Sequence, residues 1–470
     1  MPAGFNQPEL SRRSLLQTAS CGFGYLALAG LCRETQAATL NPLAPQPTHF
    51  PPRAKRVIFI FMQGGPSHVD SFDYKPALEQ HDGKKVDFYN ARARQVRSEP
   101  VMKSPWQFRQ YGQRGAWVSD LFPHMAQHVD DMLLIHGMHT EGVAHGPSTL
   151  FLHTGATNLI RPSVGSWVTY GLGTENENLP GFVTICPTAA NGGLRNYSNA
   201  FLPTIHQGTT IGRAGIPVAQ SGIANITNDR LPLDQQRRQL EFLQALNRQQ
   251  ATPGDDELEA TIASFELGFR MQNHAPGLMD LSNETEATMQ AYGIGEKTTD
   301  DFGRQCLMAR RFAEAGVRYI QVNYSDNGSN PRWDQHSNIK KHADHAVAID
   351  QPVAALLADL KQRGLLEDTL VWWGGEFGRT PSSQGNDGRD HNPQGFTVWL
   401  AGGGVKTGVS YGATDEFGHQ AAENRVHMRD LHATVLHLLG LDHERLTFRQ
   451  AGRDFRLTDI GGRVVTDLLA

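Results

Sequence analysis

Leu370 to Val405 reads LVWWGGEFGRTPSSQGNDGRDHNPQGFTVWLAGGGV. Two apolar runs rich in aromatic and β-branched residues, Leu370 to Trp373 and Phe396 to Leu400, have the character of buried strands. Between them runs a polar loop that carries Glu376, Arg379, Asp390 and His391. In an open α/β sheet, ligands bind beyond the carboxyl ends of the strands. A Glu just past one strand and an Asp-His pair just before the next therefore converge on that edge. Carboxylates beside an imidazole in such a place point to a metal ion.

Working outward, the same strand character recurs. Arg56 to Met62 is continuously apolar, as a strand buried on both faces must be, and it stops at Gln63-Gly64-Gly65-Pro66. Further strands are predicted at Met132 to Ile135, Phe182 to Ile185 and Val317 to Asn323, the last after a helix that contains Cys306 to Ala315. An amphipathic helix with Val347, Ile349, Val353, Leu356, Leu357 and Leu360 inward leads into the Leu370 strand. This βαβ rhythm predicts an α/β fold with a mostly parallel sheet. Residues 73–117 are polar and in places basic, and read as an excursion over the sheet edge. Residues 231–292 have a helical pattern in which no catalytic constellation stands out, and Asp430 to Gly440 reads as a closing helix.

A chain of 470 residues, 39% hydrophobic and with net charge -5, can bury a large core, and nothing in that balance implies nucleic acid. At the start, Ser11-Arg12-Arg13-Ser14-Leu15-Leu16 has the form of a twin-arginine signal, followed by a weakly apolar run and a small-residue site near Ala37 and Ala38. The expected layout is a signal peptide at 1–38, a Pro-, Thr- and Gln-rich linker at 39–55 and one domain at 56–470. The twin-arginine machinery would then be a partner, and the mature protein would be periplasmic or secreted, with no later run approaching the ~20 apolar residues of a membrane span. Cys186 and Cys306, the two cysteines beyond the signal, either pair or stay buried and free.

Three further groups carry chemistry. His68 and Asp70 lie two apart and would point the same way if extended, as two ligands of one metal; alternatively Asp70 and Ser71 cap a local turn. Asp334 and His336 form a second D-x-H pair beyond the strand ending at Asn323. His145 and Ser148 precede or open a helix, where unpaired amides favour an anion, so they sit where a nucleophile or oxyanion site belongs, or they are plain caps. His145 is open to three roles, nucleophile, general acid or metal ligand. Arg379 either holds an anion bidentately or braces its loop through Glu376 or Asp390.

Several motifs together resemble the bacterial domain-of-unknown-function family 1501 over essentially the whole mature chain. They are Met62-Gln63-Gly64-Gly65-Pro66-Ser67-His68-Val69-Asp70, Leu152-His153-Thr154-Gly155, Trp333-Asp334-Gln335-His336, Gly375-Glu376-Phe377-Gly378-Arg379-Thr380-Pro381 and Gly388-Arg389-Asp390-His391. That family resembles a branch of the alkaline phosphatase and sulfatase superfamily. The resemblance implies an alkaline phosphatase-like three-layer sandwich and hydrolysis of small or polymeric phosphate or sulfate esters with one or two divalent ions: zinc, manganese or calcium. It implies Asp334, His336 and His391 as one ligand set. Glu376 stands where a second metal's Asp-His pair is usual, but its neighbour is Phe377, and Gln63 stands where the first-strand Asp is usual. His68 and Asp70 would have to replace those ligands. His145-Gly146-Pro147-Ser148 resembles the sulfatase C-x-P-S nucleophile motif with His in place of Cys.

Overall fold

The computed structural model describes residues 43–228, 230–250, 256–328 and 330–470. The expected signal peptide and the first four residues of the expected linker lie outside the described residues. The central sheet contains β1 (Arg56–Met62), β2 (Met132–His139), β3 (Phe182–Ile185), β4 (Thr209–Ile211), β5 (Tyr319–Tyr324), β6 (Thr369–Gly374), β7 (Phe396–Ala401) and β8 (Val409–Tyr411). Their spatial order is β8-β2-β7-β6-β1-β5-β3-β4, with the short pair Val426–His427 added beside β2. Only β7 runs against its neighbours, so the sheet is mostly parallel, as expected.

The alternation of large side chains explains why helices cover both faces. In β1, Ile58, Ile60 and Met62 enter one core, and Val57, Phe59 and Phe61 enter the other. In β6, Trp373 stacks on Trp399 at 5.9 Å in the first core, whereas Trp372 stacks on Phe59 at 4.1 Å in the second. Each of these buried indoles is worth about 3–5 kcal/mol against truncation to alanine. The first core is closed by α5 (Asp300–Glu314) and α6 (His342–Gln362), and the second by α1 (His145–Thr154), α2 (Val164–Leu172) and α7 (Met428–Leu438). The result is three layers. A long helical pair, α3 (Leu233–Gln250) and α4 (Asp256–Met279), lies between α2 and α5 in the chain.

One expectation needs correction here. Val347 was placed inward but is 58% exposed, because the buried stripe of α6 runs through Ala346, Ile349 and Val353. The polar excursion at 73–117 contains two β-hairpins, Lys85–Asn90 with Gln95–Pro100 and Phe108–Tyr111 with Ala116–Ser119. Cys186 and Cys306 are both free and buried. Among the described residues, no helix is long and apolar enough to cross a membrane.

The register decides where the loops go. Phe61 of β1 lies opposite Gly374 of β6 and Asn323 of β5, so the chain leaves all three strands at one edge. The reversed strand β7 begins at that same edge, since Phe396 lies opposite Met138 near the end of β2. The loops following β1, β2, β5 and β6 and the one preceding β7 therefore meet there.

Candidate metal centre

Four side chains from those loops converge. His145 opens α1 after β2, Asp334 and His336 follow β5, and His391 precedes β7; one ligand atom from each lies within 4.8 Å of all the others. The centre of the group is a single oxygen. Asp334 Oδ1 lies 3.2 Å from His145 Nε2, 2.8 Å from His336 Nε2 and 3.1 Å from His391 Nε2. His336 Nε2 and His391 Nε2 are 3.1 Å apart. Around a tetrahedral zinc ion with bonds of 2.0–2.1 Å, ligand atoms are separated by about 3.3 Å. Four of the six ligand-atom pairs are at 2.8–3.2 Å, near that spacing, and the whole group lies within 4.8 Å.

What turns the rings inward is the other nitrogen of each. His145 Nδ1 is 2.7 Å from Glu376 Oε1, His391 Nδ1 is 3.1 Å from the Val143 carbonyl, and His336 Nδ1 meets Gln384 Oε1. All three partners are acceptors, so each Nδ1 can donate to its own and each Nε2 is turned to the shared oxygen; the rings donate there to Asp334, and would present Nε2 lone pairs instead if a cation took the place of those protons. His145 Nε2 is buried, and its one polar neighbour, Asp334 Oδ1 at 3.2 Å, is not well aligned for a hydrogen bond. An orphaned imidazole nitrogen facing two others and a carboxylate fits a cation.

The electrostatics follow from crowding. Burial alone would favour a neutral Asp334, but hydrogen bonds from His145, His336 and His391, with Arg379 beside them, hold it far below the usual carboxylate range. Burial also pulls His145 down, yet its bonds to Asp334 and Glu376 prevail and leave it raised. His336 is raised, chiefly by Asp334, whereas burial leaves His391 lowered.

The remaining expected site residues have different surroundings. Glu376 is fully buried, accepts Gly64 N–H at 3.0 and 3.1 Å and lies against His145 Nδ1; it stands outside the four-residue group, behind one of its candidate ligands. Arg379 is also fully buried, with Nε on the Gly65 carbonyl at 3.0 Å, Nη1 on the Arg389 carbonyl at 3.2 Å and Nη2 on Asp334 at 2.8 Å and on the Gly64 carbonyl. With its fork spent on these acceptors, it braces Asp334 and is not available as a bidentate substrate clamp.

His68 and Asp70 do not join the cluster, because the chain makes a 3-10 turn at His68–Asp70 instead of an extended segment. Asp70 accepts two bonds from Arg389, at 2.7 and 3.0 Å, and one from Ser67; His68 Nε2 lies 2.7 Å from the Gly418 carbonyl. Asp390 stands 3.8 Å from His336 Nδ1 and accepts the His391 backbone N–H. Ser148 is buried on α1, its hydroxyl unpartnered, and Gly142 packs so close that a Cβ there would meet Ser148 Oγ at 2.5 Å. Neither His145 nor Ser148 caps α1.

Gly64 deserves its own sentence among the glycines. At φ +110° it gives its N–H to Glu376 and its carbonyl to Arg379, and a Cβ there would meet Trp333 N at 2.7 Å. Gln384 and the Val143 carbonyl were missed from sequence, since an amide in a loop and a backbone oxygen carry no pattern.

A family model described as "Protein of unknown function (DUF1501)" matches residues 54–469. The chain belongs to that family. No curated protein matches it. Among solved structures, the PsFucS1 sulfatase from Pseudoalteromonas sp. is 12% identical, covering 89% of this chain and 72% of its own, with a TM-score of 0.37. The lipoteichoic acid synthase LtaP from Listeria monocytogenes is 9% identical over 90% and 80%, with a TM-score of 0.34. A protein in the alkaline phosphatase superfamily from Vibrio parahaemolyticus is 8% identical over 87% and 74%, also with a TM-score of 0.34. Likeness at this level transfers no activity to the DUF1501 chain.

Proposed function

We propose that this chain is an exported, metal-dependent hydrolase of phosphate or sulfate esters that works with one divalent ion held by His145, Asp334, His336 and His391. The observation that supports it is the arrangement of the imidazoles, each with Nδ1 tied to an acceptor and Nε2 turned to one carboxylate oxygen. Three nitrogens and one oxygen suit zinc or manganese; calcium, which takes six to eight oxygens, does not fit this donor set. When bound, a divalent ion supplies Lewis acidity and acidifies water near neutral pH.

The chain's own residues supply the rest. Glu376 fixes the tautomer of His145, and Arg379 keeps Asp334 ionised and in place. His336 is the most exposed of the four, with 29% of its side chain open, so substrate and water reach the centre from its side. Since Ser148 is not part of the cluster, water is the nucleophile in this reading. Export rests on the Arg12-Arg13 signal.

A second reading, a non-catalytic binding protein stabilised by its metal, is favoured by one observation: four protein ligands close a tetrahedral shell, as structural sites do. Metal content and turnover decide between them. We expect one equivalent of zinc or manganese per chain, lost in folded Asp334→Ala and His391→Ala variants, with metal-dependent cleavage of a phosphate or sulfate ester. Bound metal without turnover on either ester class favours the binding protein, and absence of metal after zinc and manganese are added refutes both.

A further inference from the structure

We propose that the loops carrying Ile160 and Ile460 form a lipid-docking face, on which the two aliphatic tips enter an anionic membrane surface and the Arg161 guanidinium takes a phosphodiester headgroup. Neither the metal nor ester hydrolysis enters this docking. Ile460, 86% exposed, and Ile160, 64% exposed, are the two most exposed large apolar side chains among the described residues, and Leu159 beside them is 51% exposed. One such side chain alone is ordinary, but these three belong to two loops that meet. A cavity of about 120 Å³ is lined by Leu159 and Arg161 from one loop and by Arg456 and Asp459 from the other, with Arg429 of α7 completing the wall. Ile160 and Ile460 are chain neighbours of those lining residues, so the two tips flank the cavity.

The ion pairs around the cavity leave one cation over. Arg429 pairs with Glu141 at 2.6 Å, Arg456 with Glu444 at 3.0 Å, and Arg453 with Asp459. Arg161 has no carboxylate partner and its guanidinium makes no hydrogen bond among the described residues. It is held instead over the Phe455 ring, 4.3 Å from the centroid, with Arg453 at 4.8 Å from the same ring. A guanidinium with its N–H fork unspent matches the oxygens of a phosphate. The cavity beside it has the space of about four waters, enough for the five heavy atoms of such a group.

The residue types favour a lipid surface over a protein partner. The exposed apolar side chains here are aliphatic, whereas the centre of a protein interface is usually built on aromatic anchors set in a packed patch. A bilayer surface takes aliphatic side chains into its acyl boundary while cations stay at the level of the phosphates. Aliphatic insertion and one headgroup contact are two weak signals, which together give reversible attachment. The face is separate from the metal centre, since none of the four candidate ligands lines the cavity. The helix α1 joins the two: His145 is its first residue, and Thr154, its last, lines the cavity about 14 Å further along.

The test is co-sedimentation of the mature, metal-loaded protein with vesicles of phosphatidylcholine alone and with one third phosphatidylglycerol, beside titration with inorganic phosphate and analytical ultracentrifugation without lipid. We expect reversible binding to both vesicles, tighter on the anionic ones. An Ile160→Ser, Ile460→Ser variant, its fold checked by circular dichroism, should bind tenfold to roughly 100-fold more weakly to either. Arg161→Gln should lose about fivefold on the anionic vesicles and little on phosphatidylcholine alone. No vesicle binding by the wild type, or undiminished binding by the double serine variant, overturns the proposal. So does binding of inorganic phosphate, lost in Arg161→Gln, by a protein that ignores vesicles, which makes the cavity a site for a soluble anion. Self-association abolished by the serine substitutions, again without vesicle binding, overturns it in favour of a second copy of this chain. Vesicle binding leaves the hydrolase reading untouched, so the two ideas fail separately.

Discussion

Changing Glu376 to glutamine alters one charge and almost no volume, and it tests the logic of the centre more sharply than removing a ligand. In the native protein Glu376 Oε1 lies 2.7 Å from His145 Nδ1, both side chains are buried, and the two carboxylate oxygens also receive Gly64 N–H. A hydrogen bond to a charged partner of this kind is worth about 1.5–3 kcal/mol. A glutamine oxygen in the Oε1 position still accepts from His145 and Gly64, but the amide NH2 then faces the Gly64 donor where Oε2 stood and the bond to His145 loses its charge assistance. Loss of such a partner typically weakens metal affinity 10–100-fold, which is about 1.4–2.8 kcal/mol and agrees with the bond estimate. Competition against a chromophoric zinc chelator measures this directly, with circular dichroism and thermal melting to confirm that the fold survives. Zinc affinity in Glu376→Gln within twofold of wild type would refute the claim that Glu376 orients a metal ligand.

Asp70→Asn should behave in the opposite way: it leaves Arg389 buried without its charge partner, costing about 3–5 kcal/mol in urea unfolding, while metal stoichiometry stays unchanged. Gly64→Ala should lower both thermal stability and zinc affinity, since the positive φ and the Trp333 backbone leave no room for a Cβ. Stability should also fall in acid. Burial holds His153, His206 and His432 at about 4, below their unfolded value near 6.5, so the unfolded chain binds their protons first. Their contribution is complete above pH 6.5 and is lost as pH falls from 6.5 to 4, on the order of 3 kcal/mol each, visible in urea midpoints across that range.

The buried strands were legible because a strand covered on both faces has to be apolar at every position, and Arg56–Met62, Leu370–Trp373 and Phe396–Leu400 have little competing pattern. Asp334 with His336, and His391, stood out singly for a related reason, as polar, ligand-type residues beside such strands, and the family resemblance joined them into one set. The roles of Glu376, Arg379 and Asp70 were not. Whether a carboxylate binds an ion, orients a histidine or pairs with an arginine depends on which donor reaches it, and those donors come from far away in the chain. Asp70 meets Arg389, and Glu376 meets His145. The hairpin over residues 85–100 was hidden because only Val86 and Phe88 mark an inward face on its first strand and its second strand is exposed over most of its length, which leaves too short a period to read.

The placement of the four candidate ligands has a mechanical consequence. His145 leaves β2 and Asp334 leaves β5, and between those strands lie β7, β6 and β1. Four inter-strand steps of about 4.8 Å make a span of about 19 Å, which the loops cross to meet above the strand ends. An ion seated there would be a clasp joining the two halves of the sheet at their open edge. No nascent chain shorter than His391 can fasten it.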